Sequence, residues 1–247
     1  MVREVRKTFE GSAESAGVRN LFALAAVLMF LLAGCAATPA ASSSDAPQPL
    51  ANSLCAPAAG AAFTESFDGT FSGWVSVGGT WAVAANSSAR SGGHLLRGTG
   101  AGAVSDDVAC PHGSFTDFEL EVDLRIVAPA EDAAGAGVVI HFHNATNHQI
   151  VRYSVREAGW HIFTWTDAEP RSKKSEANVE GPSPQHVAGE WIHLKVVSKQ
   201  ALITAFDGAT KILEYQLPPG HSRSGAVGAF LRDVTTADFD NLTVKLL

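Results

Sequence analysis

Glu119, Glu121 and Asp123 stand two residues apart. In an extended strand, side chains two apart share a face, so these carboxyls form one row. Two carboxyls about 5 Å apart can serve as nucleophile and acid/base in displacement at a glycosidic carbon. An alternating acidic row is also the ordinary composition of a solvated strand face. Further along, His141 and His143 repeat the spacing, and His148 follows beyond the turn at Asn144–Asn147. Two imidazoles so placed can hold one zinc or copper ion if a neighbouring strand brings a third ligand; Glu121 and His193 are the candidates. Arg152 adds a fixed cation. Trp160 follows Glu157-Ala158-Gly159, a hairpin tip, where its ring is expected to be exposed and able to stack on the C–H face of a sugar.

These residues need strands to position them, and the alternation of apolar and polar residues supplies three between Phe115 and Val155. Phe118, Leu120, Val122, Leu124 and Ile126 share one side of the first, opposite Glu119, Glu121, Asp123 and Arg125. In the second, Val138, Ile140 and Phe142 oppose Val139, His141 and His143; in the third, Val151, Tyr153 and Val155 oppose Arg152, Ser154 and Arg156. If the three strands are neighbours, Glu121, His141, His143 and Arg152 form one polar surface with Trp160 at its margin. That surface is the expected ligand-binding face.

The remainder of the chain continues the pattern. Short alternating runs with turn residues between them begin at Ala61 and recur to the end: Trp160–Thr166, Trp191–Ser198, Ala201–Phe206, Lys211–Leu217, Ala226–Leu231 and Phe239–Leu246. Asp207-Gly208 is a strong hairpin signal. Glu169–Pro184 is polar and reads as an exposed loop, and no long amphipathic helix follows Cys35. Strands at this spacing predict an all-β, two-sheet antiparallel sandwich. The 247 residues suit one such domain with appendages, and a net charge of −7 excludes nucleic acid as a partner, which needs a basic footprint.

The N-terminal region is organised for export. Arg3, Arg6, Lys7 and Arg19 precede an apolar run, Leu21–Leu32, too short for an ordinary membrane span. Leu32-Ala33-Gly34-Cys35 then resembles the bacterial lipobox, in which the cysteine is lipidated and becomes the mature N-terminus. Residues 1–34 are thus expected to be a lipoprotein signal peptide, residues 35–60 an Ala/Pro/Ser-rich tether, and residues 61–247 the folded domain. The membrane is the partner of Cys35, and the cell envelope the location. Cys55 and Cys110 are a pairable couple in an oxidising compartment, and a disulfide is expected between them.

The succession ESFDG…GW…GGTWAV, FTDFELEVDLRI, GAGVVIHF, GEWIHLKVV…TAFDG and GAVGAF…ADFDNLTV resembles concanavalin A-like jelly-roll domains from Ala61 to Leu247. That group includes laminin-G-like modules, the 3-keto-disaccharide hydrolase family and family 16 glycoside hydrolases. The resemblance implies two antiparallel sheets, a face that often binds glycans, and in some members a structural calcium ion. The first and last strands of such domains tend to pair, and Glu65, Asp68 and Asp240 could then supply oxygen ligands to calcium; turn formation is the other reading of these acids. No other cofactor is required. The family 16 acidic pattern is Glu-x-Asp-x-Glu, whereas this strand reads Glu-Leu-Glu-Val-Asp. The sequence therefore predicts an envelope lipoprotein whose sandwich binds carbohydrate without catalysis. The alternative is a glycoside-processing enzyme using Glu119, Glu121 and Asp123, and the second alternative is an adhesion module that binds protein.

Overall fold

The computed structural model describes residues 48–49, 51–52, 55, 59–68, 73–102, 106–111, 113–128, 135–166, 175–176 and 183–247. The signal peptide, Cys35 and most of the tether lie outside the described residues, as does most of the loop expected at Glu169–Pro184. No helix occurs among the described residues. Strands β1 (Gln48–Pro49), β2 (Ala51–Asn52), β3 (Phe63–Glu65), β4 (Trp74–Val77), β5 (Thr80–Ala85), β6 (His94–Thr99), β7 (Asp106–Pro111) and β8 (Phe118–Ala128) come first. Then follow β9 (Gly135–Asn144), β10 (Asn147–Ser154), β11 (Gly159–Trp165), β12 (Ser175–Glu176), β13 (Ile192–Lys199), β14 (Leu202–Asp207), β15 (Thr210–Gln216), β16 (Ala226–Arg232) and β17 (Thr236–Leu246).

They form two sheets. Sheet I runs β1-β5-β6-β17-β8-β13-β14-β15, with β3 also paired to β17; sheet II runs β12-β11-β10-β9-β16-β7-β4-β2. Every pairing is antiparallel except the short parallel contact of β2 with β4. The expected all-β sandwich is the observed one. β8 behaves as its alternation predicts: Phe118, Leu120, Val122, Leu124 and Ile126 are buried between the sheets against Val138, Ile140, Val151 and Tyr153. The Cys55–Cys110 disulfide is formed and ties the chain beyond β2 to β7, in the interior of sheet II's strand order.

One expectation about adjacency fails. β8 is not a neighbour of β9: β8 lies between β17 and β13 in sheet I, and β9 between β10 and β16 in sheet II. Sequential strands joined by a longer connection have crossed from one sheet to the other. The outward row of Glu121 and the outward row of Arg152 consequently face opposite sides of the molecule, and the single polar surface expected of them does not exist.

His141 departs from the pattern too. Between Val139↔Gly228 and Phe142↔Ala226 two residues of β9 oppose the single Val227, and His141 takes a left-handed φ of 49°. This bulge sends Ile140 and His141 both inward and puts Phe142 on the outer face. His141 is therefore enclosed between the sheets, its ring edge-on to Phe118 at 5.6 Å. Its Nδ1 lies 2.7 Å from Gln149 Oε1 and its Nε2 3.1 Å from Ser198 Oγ, so its polar atoms are used structurally.

Burial is the main reason that the His141 imidazole is held down at about 4; the hydrogen bond that its Nδ1 donates to Gln149 Oε1 opposes the shift only in part. The unfolded chain binds this proton below the ordinary histidine value, near 6.5, whereas the folded one does so only below about 4. Stability from this group is therefore present above about pH 6.5 and is lost as pH falls toward 4, by on the order of 3 kcal/mol. Urea unfolding of wild type and His141→Asn at pH 7 and pH 4.5 should show a smaller pH-dependent loss in the variant; an equal loss in both would contradict the assignment.

Candidate ligand-binding site

The outer face of sheet II carries a buried ionic cluster. In β10, Ile150 packs on the outer face and Arg152, two residues on, follows it there. In β16, Phe230 and Arg232 stand in the same relation, and in β7 Val108 is preceded by Asp106. Register places these residues together. Arg152 is paired with His161 of β11 on one side and with Gly137 of β9 on the other; Phe230 is the next partner of Gly137. In the adjoining row Arg232 is paired with Gly135 and with Asp106. Two arginines thus flank a strip of β9 that has no side chains, only Gly135 and Gly137.

The glycines are required by close approach. A Cβ at Gly137 would fall 2.0 Å from the carbonyl oxygen of Val151, and one at Gly135 would meet the Tyr153 carbonyl at 2.6 Å and Arg152 Nη1 at 2.8 Å. The tight turn between β10 and β11, with Ala158 in a left-handed conformation, brings Glu157 back over the strand. Arg152 Nη2 donates to Glu157 Oε2 at 2.7 Å, and its guanidinium lies over the Phe163 ring at 5.0 Å. Arg232 Nη1 donates to Asp106 Oδ1 at 2.5 Å, and its Nε is 3.6 Å from Asp233 Oδ1. Arg152 is only 3% exposed, and its Nη1 has no hydrogen-bond partner among the described residues. Burial lowers its proton affinity while Glu157 raises it. The cluster opens to water at the side chains of Glu157, 37% exposed, and His161, 25% exposed, which approach each other to 3.3 Å. Beside it, His161, Phe163 and Trp165 succeed one another along the outer face of β11 with rings roughly parallel, and His148 stacks on Trp165 at 4.7 Å.

The other residues singled out in the sequence go elsewhere. Trp160 is not exposed at a hairpin tip. It is 0% exposed in the inter-sheet core, edge-on to Tyr153, with Nε1 donating to Asp207 Oδ2 at 3.0 Å, because it alternates inward with Ile162. His143 is exposed, its Nε2 2.7 Å from both Ser222 Oγ and the Ser224 carbonyl. His148 is buried on the outer face of sheet II, and His193 is on sheet I with Asp123, so the histidines do not converge on one ion. Among the described residues no group of three or more His, Cys, Asp or Glu is arranged to hold a metal.

The acidic row of β8 belongs to an ion-pair ladder on the outer face of sheet I. Glu119 lies 2.6 Å from Lys195 Nζ and 3.0 Å from Lys245 Nζ, which hold its carboxyl at about 2, the reverse of what a general acid needs. Glu121 shares the same two lysines. Asp123 accepts from Asn241 and stands 2.9 Å from His193 Nδ1. The proposed calcium ligands are occupied by turns: Glu65 accepts from the Phe67 N–H, Asp68 from those of Gly93 and His94, and Asp240 from those of Arg90, Ser91 and Asn241. Asp68 and Asp240 both grip the β5–β6 connection, the turn-forming reading of these acids.

A family model described as a 3-keto-alpha-glucoside-1,2-lyase-like domain matches residues 62–245. The chain belongs to that family. Solved structures share its fold at low identity. The carbohydrate-binding module CBM66 from Bacillus subtilis superimposes with a TM-score of 0.55 at 16% identity, over 71% of this chain and 97% of that one. A Bacillus subtilis protein of unknown function with a galectin-like fold gives 0.52 at 13% identity, over 76% and 97%. The cellulose-induced protein Cip1 gives 0.53 at 10% identity, over 74% and 96%. No curated protein matches. The chain is thus a concanavalin A-like sandwich of a sugar-related family.

Of the residues that the sequence nominated for binding, only Arg152 lies in the cluster. Asp106, Glu157, Arg232 and Asp233 were missed. The signal for Arg232 was present in Ala-Val-Gly-Ala-Phe-Leu-Arg, where Gly228, Phe230 and Arg232 alternate on one face. Asp106 had none, because β7 reads Asp-Asp-Val-Ala-Cys-Pro, without alternation.

Proposed function

We propose that this protein is a lipid-anchored lipoprotein of the bacterial envelope whose sandwich binds carbohydrate on the outer face of sheet II, around Arg152. The observation that carries the reading is the guanidinium of Arg152: nearly enclosed, clamped by Glu157, laid on Phe163, and holding its Nη1 amino group without a partner among the described residues above a side-chain-free strip of β9. A buried donor left unpaired costs roughly 1–3 kcal/mol, a cost that a ligand hydroxyl reaching it would relieve. Membership of a sugar-processing family and the shared fold of a carbohydrate-binding module support a saccharide as that ligand. Anchoring through Cys35 is supported by the lipobox and the apolar run before it.

A second reading is elimination chemistry, favoured by the family description and by the Glu157–His161 pair at the open side of the cluster. Elimination across C1–C2 of a 3-keto-glucoside removes the proton on C2, which the neighbouring ketone acidifies. The C2–H electron pair becomes the C1=C2 double bond, and the C1–O bond breaks as the departing oxygen gains a proton. Glu157 or His161 would take the C2 proton, and Arg152 would stabilise the enolate oxygen. Glu119, Glu121 and Asp123 play no part in either reading.

Three outcomes test these readings. Arg152→Lys, which keeps the charge but removes the planar fork, should weaken binding of the best polysaccharide in an affinity-electrophoresis panel by roughly tenfold, an order of 1.4 kcal/mol. Glu121→Gln should leave that binding, and any release of an unsaturated product from a 3-keto-disaccharide, unchanged. The reverse ranking would place the site on sheet I. Cys35→Ser should move the protein from the detergent phase to the aqueous phase on Triton X-114 partitioning; retention in the detergent phase would refute the lipid anchor.

A further inference from the structure

We infer that the Arg152–Arg232 cluster selects neutral saccharides that present adjacent hydroxyls, and rejects chains carrying carboxylates or sulfates. This rests on the reading of the cluster as the carbohydrate site.

The charge balance of the cluster carries the inference. Two guanidiniums, Arg152 and Arg232, meet three carboxylates, Glu157, Asp106 and Asp233. Among the described residues these five side chains together carry one net negative charge before any ligand arrives, not counting His161. Pairs of arginines commonly mark sites for anions, because an unpaired guanidinium offers a bidentate fork. Here that use is already taken. Arg152 spends Nη2 on Glu157, and Arg232 spends Nη1 on Asp106. An incoming carboxylate would have to displace one of these acids or lie beside them, and bringing like charges together away from water is expensive.

A hydroxyl is differently suited. It accepts one hydrogen bond and donates another, whereas a carboxylate only accepts. The Arg152–Glu157 pair sets an unpaired donor, Nη1, closed off from water in the ligand-free chain, beside an acceptor open to water, the Glu157 carboxylate, so a ligand reaches Nη1 only as the exposed Glu157 side chain shifts. Two adjacent sugar hydroxyls match that edge, one accepting from Nη1 while its neighbour donates to Glu157. Gly135 leaves the room that the guanidinium itself occupies, since a Cβ there would fall 2.8 Å from Nη1. Glu157 and His161, the members open to water, mark the side from which the ligand must come.

The experiment compares matched ligands on the full chain. The neutral polysaccharide bound best in affinity electrophoresis is used with its own C6-oxidised derivative, in which primary hydroxyls have become carboxylates and the backbone is otherwise the same. The oxidised form should bind at least about tenfold more weakly. In Glu157→Gln, with folding checked by circular dichroism because Arg152 loses its nearest counter-charge, that ratio should shrink severalfold, because one negative charge is gone. Equal or tighter binding of the oxidised form, or binding of anionic polysaccharides alone, would overturn the inference while leaving a carbohydrate site in place. Unchanged neutral binding in both Arg152→Lys and Glu157→Gln would instead overturn the site itself. Failure of wild type to bind any member of the panel would overturn both.

Discussion

A guanidinium shut away from water must have its charge balanced by its neighbours, and Arg152 imposes that demand on the outer face of sheet II. Its position in β10 is fixed by the inter-sheet core, since Val151 and Tyr153 must point inward. Everything around it meets the cost of enclosure: Glu157 by the β10–β11 turn, Phe163 by its ring face, and the bare backbone of Gly135 and Gly137 by leaving room. A charge that could be exposed needs none of this. The Nη1 amino group left over is what gives the arrangement a use beyond structure.

The two faces of the sandwich treat charge differently. On sheet I, Glu119 and Glu121 are met by Lys195 and Lys245, and Asp238 is gripped by Arg97 and Arg125, the latter stacked on Trp191 at 4.8 Å. Cross-strand ladders of this kind pair their members with opposite charges, and pairs open to water contribute little each. Glu119 remains ionised far into acid under the two lysines. On sheet II the buried Arg152 keeps its Nη1 without a partner among the described residues, and it is there that a ligand has something to supply.

Much of the fold was legible because alternation reports directly on which face is buried. The rows of β8 and β10 follow from it, as do the strands from β13 to β17. Alternation cannot report which strands are neighbours, and so it merged Glu121 with Arg152 although a crossover puts them on opposite sheets. Nor can it see a bulge: one inserted residue reversed the phase of β9 and carried His141 into the core. Trp160 was misplaced because the glycine before it suggested an exposed tip, whereas the turn ends at Gly159 and the strand begins there. The site was the least legible part. Its members come from five strands, β7, β9, β10, β11 and β16, and from the turns after β10 and β16, and it took the register of β7 and β16 to bring Asp106 and Arg232 to Arg152.

The central claim is that ligand occupies the outer face of sheet II. Hydrogen–deuterium exchange with and without a saturating oligosaccharide of the best-bound polysaccharide tests it directly. Added protection should concentrate in residues 135–138 and 150–163, with none in 119–125 or 193–197. Protection of those β8 and β13 segments, with the β9–β11 amides unchanged, would contradict it.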